Sequence, residues 1–325
     1  MPYFDTTYTN GVIAVREKRL LKEKIFRFCE VGVEDAFRML GESGYGNGET
    51  AASVYEYENL IKAEEGAIDE FVRTYSPSAA EKNFLLLPRD FHNAKALVKS
   101  VYLGIDEKRL LAPSGLFPLA QLTACIQAGD FAPIKEFNAY LGGACEEVTA
   151  LLQEEPSGAK AGAIFEKALY AALRDTAKGN AVLRRLLAEK ADCINILTSL
   201  RAIDFAQAQG QYLPGGELTE NELERFFTQD NEKLRRAFAK TPYAQFVGLC
   251  LDAKEKGLPM TEAEKTVSSF EVAYFEKRKF DLKGSEPFLY YVYRRRAENA
   301  NVRIVFACLL AGEAEREIKR RLRAL

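Results

Sequence analysis

The sequence has one histidine, no Cys-x-x-Cys pair, almost no net charge and no long apolar run. Each absence removes a class of function. His92 alone can form neither a histidine dyad nor a metal site, because no cysteine cluster stands by to complete one. The six cysteines (Cys29, Cys125, Cys145, Cys193, Cys250 and Cys308) are scattered, most of them inside apolar helical patterns. They read as small buried hydrophobes of a reduced, cytosolic chain rather than as a disulfide framework. Forty-five basic residues nearly cancel 47 acidic ones, for a formal charge of −2, so the basic excess of a nucleic-acid-binding protein is missing. The longest apolar run, residues 304–312, is about half of the ~20 residues a membrane helix needs. The opening residues lack the charged and apolar regions of a signal peptide. The expectation is a cytoplasmic protein that spans no membrane and touches one only peripherally.

Chemistry-bearing motifs are missing too. The glycine-rich stretch Gly44-Tyr45-Gly46-Asn47-Gly48-Glu49 has the look of a phosphate loop but lacks the Lys-Ser/Thr ending that reaches the terminal phosphates. No G-x-S-x-G, H-E-x-x-H or dinucleotide fingerprint occurs. No catalytic residue, cofactor or metal is expected, and the chain reads as non-catalytic.

What is present is helical periodicity. Leu21, Ile25, Phe28 and Cys29 share one face, as do Phe91, Ala94, Val98 and Val101. So do Cys193, Leu197 and Leu200, and Val302, Val305, Phe306 and Leu309. Alternating strand-like runs with hairpin turns are absent. Glycine and proline gather at 41–48, 112–118, 156–162 and 214–216, which read as loops. The predicted fold class is all-α. With 325 residues, 47% of them hydrophobic, the chain can bury a core without disulfides or metal.

An acidic-x-x-Asn signature occurs three times, as Asp90/Asn93, Asp192/Asn195 and Glu298/Asn301. Its acidic members recur 102 and then 106 residues apart. Each opens an apolar helical run, two of which end at Gly104 and Gly312. An aromatic-Glu pair precedes each one, at Tyr57-Glu58, Phe165-Glu166 and Phe270-Glu271. A third element, ending at Tyr45 and Tyr243, recurs in the first and third stretches and is degenerate near Phe137 to Tyr140 in the second. Recurrence in the same order predicts three similar helical units, 1–112, 113–215 and 216–325, compatible with a pseudo-threefold arrangement.

On a helix, residues three apart share a face, so each acid points with its asparagine. Two roles are open to the pairs. They can satisfy backbone groups where the helix meets a neighbour, or they can ring a central polar cavity. Basic residues follow the signatures: Lys95 and Lys99, Arg201, and Arg294, Arg295 and Arg296 with Arg303. The three consecutive arginines read either as a docking patch for an acidic partner or as a solvated helix face.

These residues together carry a resemblance. The chain resembles the C-subunit family of prokaryotic V-type and A-type ATP synthases, whose eukaryotic counterpart is the d-subunit of the vacuolar proton pump. The likeness runs through the basic-apolar helix expected over 15–28, the ending at Tyr45, Tyr57-Glu58 and Asp90-x-x-Asn93-x-Lys95. It continues through Leu111-Ala112-Pro113-Ser114-Gly115, Leu213-Pro214-Gly215-Gly216, Phe270-Glu271, Pro287-Phe288-Leu289-Tyr290-Tyr291 and Glu298-x-x-Asn301-x-Arg303. It implies a funnel of three helical units whose polar interior receives the central shaft, made of the D and F subunits. The base would rest on the membrane rotor ring, with the catalytic A and B subunits engaged only indirectly. It also implies a rotor component that transmits torque for ATP-coupled proton or sodium transport. On that reading Asp90, Asn93, Asp192, Asn195, Glu298 and Asn301 line the shaft socket, with Arg294, Arg295 and Arg296 as a basic docking patch nearby. The middle stretch departs from the pattern, with Leu197 at the position of Lys95 and an alanine-rich surround at Phe165-Glu166. The competing readings are a generic all-α scaffold unrelated to rotary ATPases and an all-α enzyme with carboxylates in a deep pocket.

Overall fold

The computed structural model describes residues 6–104, 110–113 and 115–324. Among these residues every regular element is helical. Ahead of the first signature stand α1 (Thr6–Arg16), α2 (Lys24–Phe28), α3 (Val33–Glu42) and α4 (Tyr57–Tyr75), and the signature itself lies on α5 (Ala79–Leu103). The second series is α6 (Leu119–Ala128), α7 (Ala132–Phe137), α8 (Ala139–Glu154), α9 (Gly158–Thr176) and the signature helix α10 (Ala181–Arg201). The short α11 (Phe205–Gln209) follows it. The third series is α12 (Glu220–Thr228), α13 (Asn231–Phe238), α14 (Ala244–Glu255), α15 (Thr261–Ser268), α16 (Phe270–Glu276) and the signature helix α17 (Glu286–Leu310). It closes with α18 (Glu315–Arg321).

Local chemistry explains several of these boundaries. Asn138 and Asn180 accept from backbone N–H groups in the first turns of α8 and α10. Thr219 and Glu222 form a reciprocal capping box on α12. Gly104 and Gly312 stop the first and third signature helices with φ of 65° and 72°, a conformation that favours glycine.

The chain forms two compact units. One joins the residues up to Lys82 with those from Ser268 onward, and the other is Asn83–Val267. The first changeover falls within α5, ahead of its Asp90/Asn93 signature, and the second at the end of α15, ahead of α17. In the first unit α17 is the central element, with sixteen of its 25 residues buried. Its Phe306 ring stacks on Tyr57 at 5.4 Å and meets Phe37 edge-on at 6.2 Å. Arg303, a turn away, makes a two-pronged pair with Glu58 at 2.9 and 3.0 Å. The Tyr57-Glu58 pair is thereby explained: both residues grip α17.

Three expectations differ from the structure. The helix expected over 15–28 is broken. A 3₁₀ turn (Glu17–Arg19), an extended Leu20 and Lys22 at φ 47° separate α1 from α2, because Leu21 and Lys22 give their N–H groups to Glu298. Phe165-Glu166 lies inside α9, whereas Tyr57 and Phe270 each open a helix. Val101 is exposed although its partners Phe91, Ala94 and Val98 are buried. Ser114 of the Ala112–Gly115 turn lies outside the described residues.

All six cysteines are free and buried, and burial pushes the thiols of Cys145, Cys193 and Cys250 up to about 12. Because Phe306 is fully buried between two aromatic neighbours, Phe306→Ala should destabilise the protein by about 3–5 kcal/mol. Urea unfolding checks it; a loss below about 1 kcal/mol would mean that α17 does not organise this core.

Candidate functional site: three buried clasps

The three signatures make one device three times. In the first, Asn93 Oδ1 accepts the N–H of Ala112 at 2.8 Å and Nδ2 donates to the carbonyl of the same residue at 3.2 Å. One helical turn earlier, the Asp90 carboxylate accepts the N–H groups of Leu116 and Phe117 at 2.8 and 3.1 Å. In the second, Asn195 does the same with Leu213 at 2.8 and 3.0 Å, while Asp192 takes Glu217 and Leu218 at 2.9 and 3.1 Å. In the third, Asn301 exchanges both bonds with Arg323 at 2.8 and 3.1 Å. Glu298 Oε1 accepts from Leu21 and Lys22 at 2.8 and 3.4 Å. The asparagine thus reads one residue as a strand neighbour would. The acid ties down two consecutive N–H groups, a few residues further along in the first two clasps and at the start of the chain in the third.

Close approach explains the glycines. A Cβ on Gly115 would lie 2.3 Å from an Asp90 oxygen, and one on Gly216 would lie 2.2 Å from an Asp192 oxygen. Both are the residue just before the two donated N–H groups. The equivalent residue in the third clasp is Leu20, which carries a side chain, and there the acid is glutamate.

Each clasp recruits side chains. Tyr243 donates to Asp192 Oδ2 at 2.5 Å. Burial, with Asp192 beside it, holds the Tyr243 phenol well above its usual range. Burial raises the Asp192 carboxyl, and the Tyr243 and backbone bonds oppose that rise. Burial likewise raises the Glu298 carboxyl, opposed first by Arg295. Arg295 bridges Glu298 at 2.8 Å to Glu64, whose other oxygen accepts the N–H groups of Gly46 and Asn47 at 2.9 and 3.1 Å. The glycine-rich stretch that looks like a phosphate loop therefore cradles an internal carboxylate instead. Tyr45, at its start, donates to Asn299 Oδ1 at 2.7 Å. In the degenerate middle stretch, Tyr140 bonds Asp175 at 2.8 Å. His92 makes a 2.7 Å bond to the Leu110 carbonyl and so steadies the loop of the first clasp.

The structure therefore places Asp90, Asn93, Asp192, Asn195, Glu298 and Asn301 inside the protein, each at most 4% exposed and engaged by backbone. Of the two roles open to the pairs, this is the satisfaction of backbone groups. The arginine run does not form one exposed patch either. Successive helical residues point about 100° apart, so Arg295 turns inward to its two glutamates. Arg294 bonds the Tyr290 hydroxyl at 2.7 Å, and Arg296 pairs with Asp69 at 3.2 Å. The pairing of each aspartate with a distant glycine, Asp90 with Gly115 and Asp192 with Gly216, was the signal available in the sequence for the first two clasps.

A cleft of about 990 Å³ lies between α8 and α9, walled by residues such as Ala139, Gly143, Ala163 and Ala168. The one acidic residue in its lining is Glu147, so it lacks the opposed carboxylates of the enzyme reading. Among the described residues no group of three His, Cys, Asp or Glu could hold a metal, and no helix is long and apolar enough to cross a membrane. The model of the family described as ATP synthase (C/AC39) subunit matches residues 9–321. No curated protein matches the chain significantly.

Asn195→Ala would orphan a buried N–H and a carbonyl of Leu213, at about 1–3 kcal/mol. Gly216→Ala should cost a similar amount by forcing Asp192 aside. Gly248→Ala, whose added Cβ would meet only an arginine tip at 3.7 Å, is the control. Thermal unfolding separates these cases; equal midpoints for Gly216→Ala and Gly248→Ala would refute the close-approach argument.

Proposed function

The chain belongs to the ATP synthase C/AC39 subunit family, and we propose that it is the socket of the rotary complex's central stalk. In this reading it receives the D and F subunits of the shaft, rests on the membrane ion-translocating ring and turns with them. It carries torque between the ring and the catalytic A and B subunits and performs no chemistry of its own. The chain would sit on the cytoplasmic face of the membrane, held there through the complex.

The observation that carries the proposal is the threefold recurrence of one clasp within a chain that matches the family over residues 9–321. A coupling that transmits torque must not yield, and buried polar groups with every bond satisfied rigidify the elements they join. Two of the clasps bind a long helix to the loop that leads into the next series, and the third binds α17 to Leu21, Lys22 and Arg323. Three such clasps suit a wall built from three quasi-equivalent units, 1–112, 113–215 and 216–325, closed as a funnel. The six signature residues then serve the socket from inside its wall, by fixing the loops, and other side chains meet the shaft.

The test is a tagged pull-down of the full chain from gently solubilised native membranes. Co-purification of shaft, ring, A and B subunits is the expected result, with recovery weakening as salt rises because partly exposed ionic contacts are screened. Recovery of the chain alone, from membranes shown to hold an intact rotary ATPase, would overturn the socket. Recovery that does not change with salt would refute its ionic component.

A further inference from the structure

Residues 277–283, Lys-Arg-Lys-Phe-Asp-Leu-Lys, join α16 to α17 in the first unit. Phe280 is 81% exposed and Leu282 60%. The segment is nonetheless built. The N–H of Arg278 donates to Phe275 O at 2.8 Å, that of Asp281 to Arg278 O at 3.0 Å, and that of Leu282 to Phe280 O at 3.0 Å. The Asn10 amide of α1 reaches the Leu282 carbonyl at 3.5 Å. Arg278 lies over the Tyr274 ring at 4.0 Å and bonds its carbonyl at 2.6 Å, which anchors the start of the loop. Lys279 Nζ stands 5.3 Å from the rings of both Phe280 and Tyr290. A turn that holds two bulky apolar side chains in water does so against the hydrophobic effect, so the pair is waiting for a surface.

The charge around it says which surface. Lys277, Arg278, Lys279 and Lys283 surround the two apolar tips; of the carboxylates, Glu276 stands just before the segment, and Asp281 within it accepts the N–H of Lys283 at 3.4 Å inside its own turn. A surface that fits this turn has to offer anions and an apolar seat within one residue of each other. The boundary of an anionic bilayer supplies both, phosphate for the ammonium groups and acyl chain for the rings and methyls one residue away. Lysine stems can also lie along apolar surface while their heads stay among the headgroups.

We propose that the 277–283 loop docks on an anionic phospholipid surface, with Phe280 and Leu282 entering the interface and Lys277, Lys279 and Lys283 bound to headgroup phosphates. This adds a direct lipid contact to the socket reading and rests on that reading only for the nearness of the membrane.

The chain contains no tryptophan, so Phe280→Trp places a single reporter at the tip of the loop. The full-length protein is mixed with phosphatidylcholine vesicles, with and without phosphatidylserine. Sedimentation with the anionic vesicles is expected, together with a blue shift of the Phe280→Trp emission and its quenching by brominated lipid. Replacing Lys277, Lys279 and Lys283 with Gln should weaken binding about 100-fold, at roughly fivefold per cation. Phe280→Ser combined with Leu282→Ser should remove the salt-resistant part of the binding. Helicity and the thermal midpoint serve as the folding control; if the serine variant falls short there, the tryptophan reporter decides alone. Absence of sedimentation, or an unshifted and unquenched emission on vesicle-bound protein, overturns the proposal. Capture of acidic ring subunits through this loop in lipid-free detergent, with no vesicle binding, overturns it in favour of a protein partner. Failure of the socket reading would look different: vesicle binding would persist while shaft and ring subunits failed to co-purify.

Discussion

A loop that runs through the interior of a helical protein carries backbone donors and acceptors that no helix satisfies, and each one left unmade would cost on the order of 1–3 kcal/mol. The architecture here turns on one answer to that demand. An acid and an asparagine one helical turn apart project from a long helix and meet the two ends of one loop in the first two clasps, and two segments far apart in sequence in the third. The asparagine completes a two-bond pair with one residue, and the acid gathers two consecutive N–H groups. Because the answer is the same each time, the loops at 112–117 and 213–218 and the split pair at 20–22 and 323 hold equivalent positions against their helices.

The choice of acid follows from the depth of the loop. Where glycine stands before the donated pair, the backbone comes in until the carboxylate occupies the space of a missing Cβ, and aspartate is long enough. Where Leu20 stands there, a side chain already fills that space, and the acid is the glutamate, one methylene (about 1.5 Å) longer. The longer side chain also leaves Oε2 free for Arg295, which ties the clasp to Glu64 and the cradle at Gly46 and Asn47. This buried triad carries one cation against two carboxylates. The four backbone N–H groups aimed at the acids supply the remaining positive potential.

Much of this was legible in the residues. Helical period, the three signatures and the glycines that stop α5 and α17 declare an all-α chain with internal recurrence. The face each signature presents was not legible, because a buried pair and a cavity-lining pair have the same spacing; only the position of Ala112, Leu213 and Arg323 distinguishes them. The break between α1 and α2 was hidden because its cause, Glu298, lies more than 270 residues away. The consecutive arginines misled for a similar reason: charge in sequence says nothing about direction, and on a helix Arg295 faces opposite to water. The aromatic-Glu match at Phe165 differs in place: Phe165 is buried midway along α9 and Glu166 is exposed there.

The first unit is discontinuous, and this bears on biosynthesis. Residues up to Lys82 leave the ribosome carrying Phe28, Leu40 and Ile61, whose burial requires the side chains of α17. The intervening unit is continuous and can close as it emerges. The nascent amino-terminal helices must therefore wait, with their apolar faces uncovered, until Val302, Val305 and Phe306 have been translated and Arg323 has reached Asn301. During that interval the uncovered faces are the kind of apolar surface that aggregates, and translation of α17 and α18 is what closes them off.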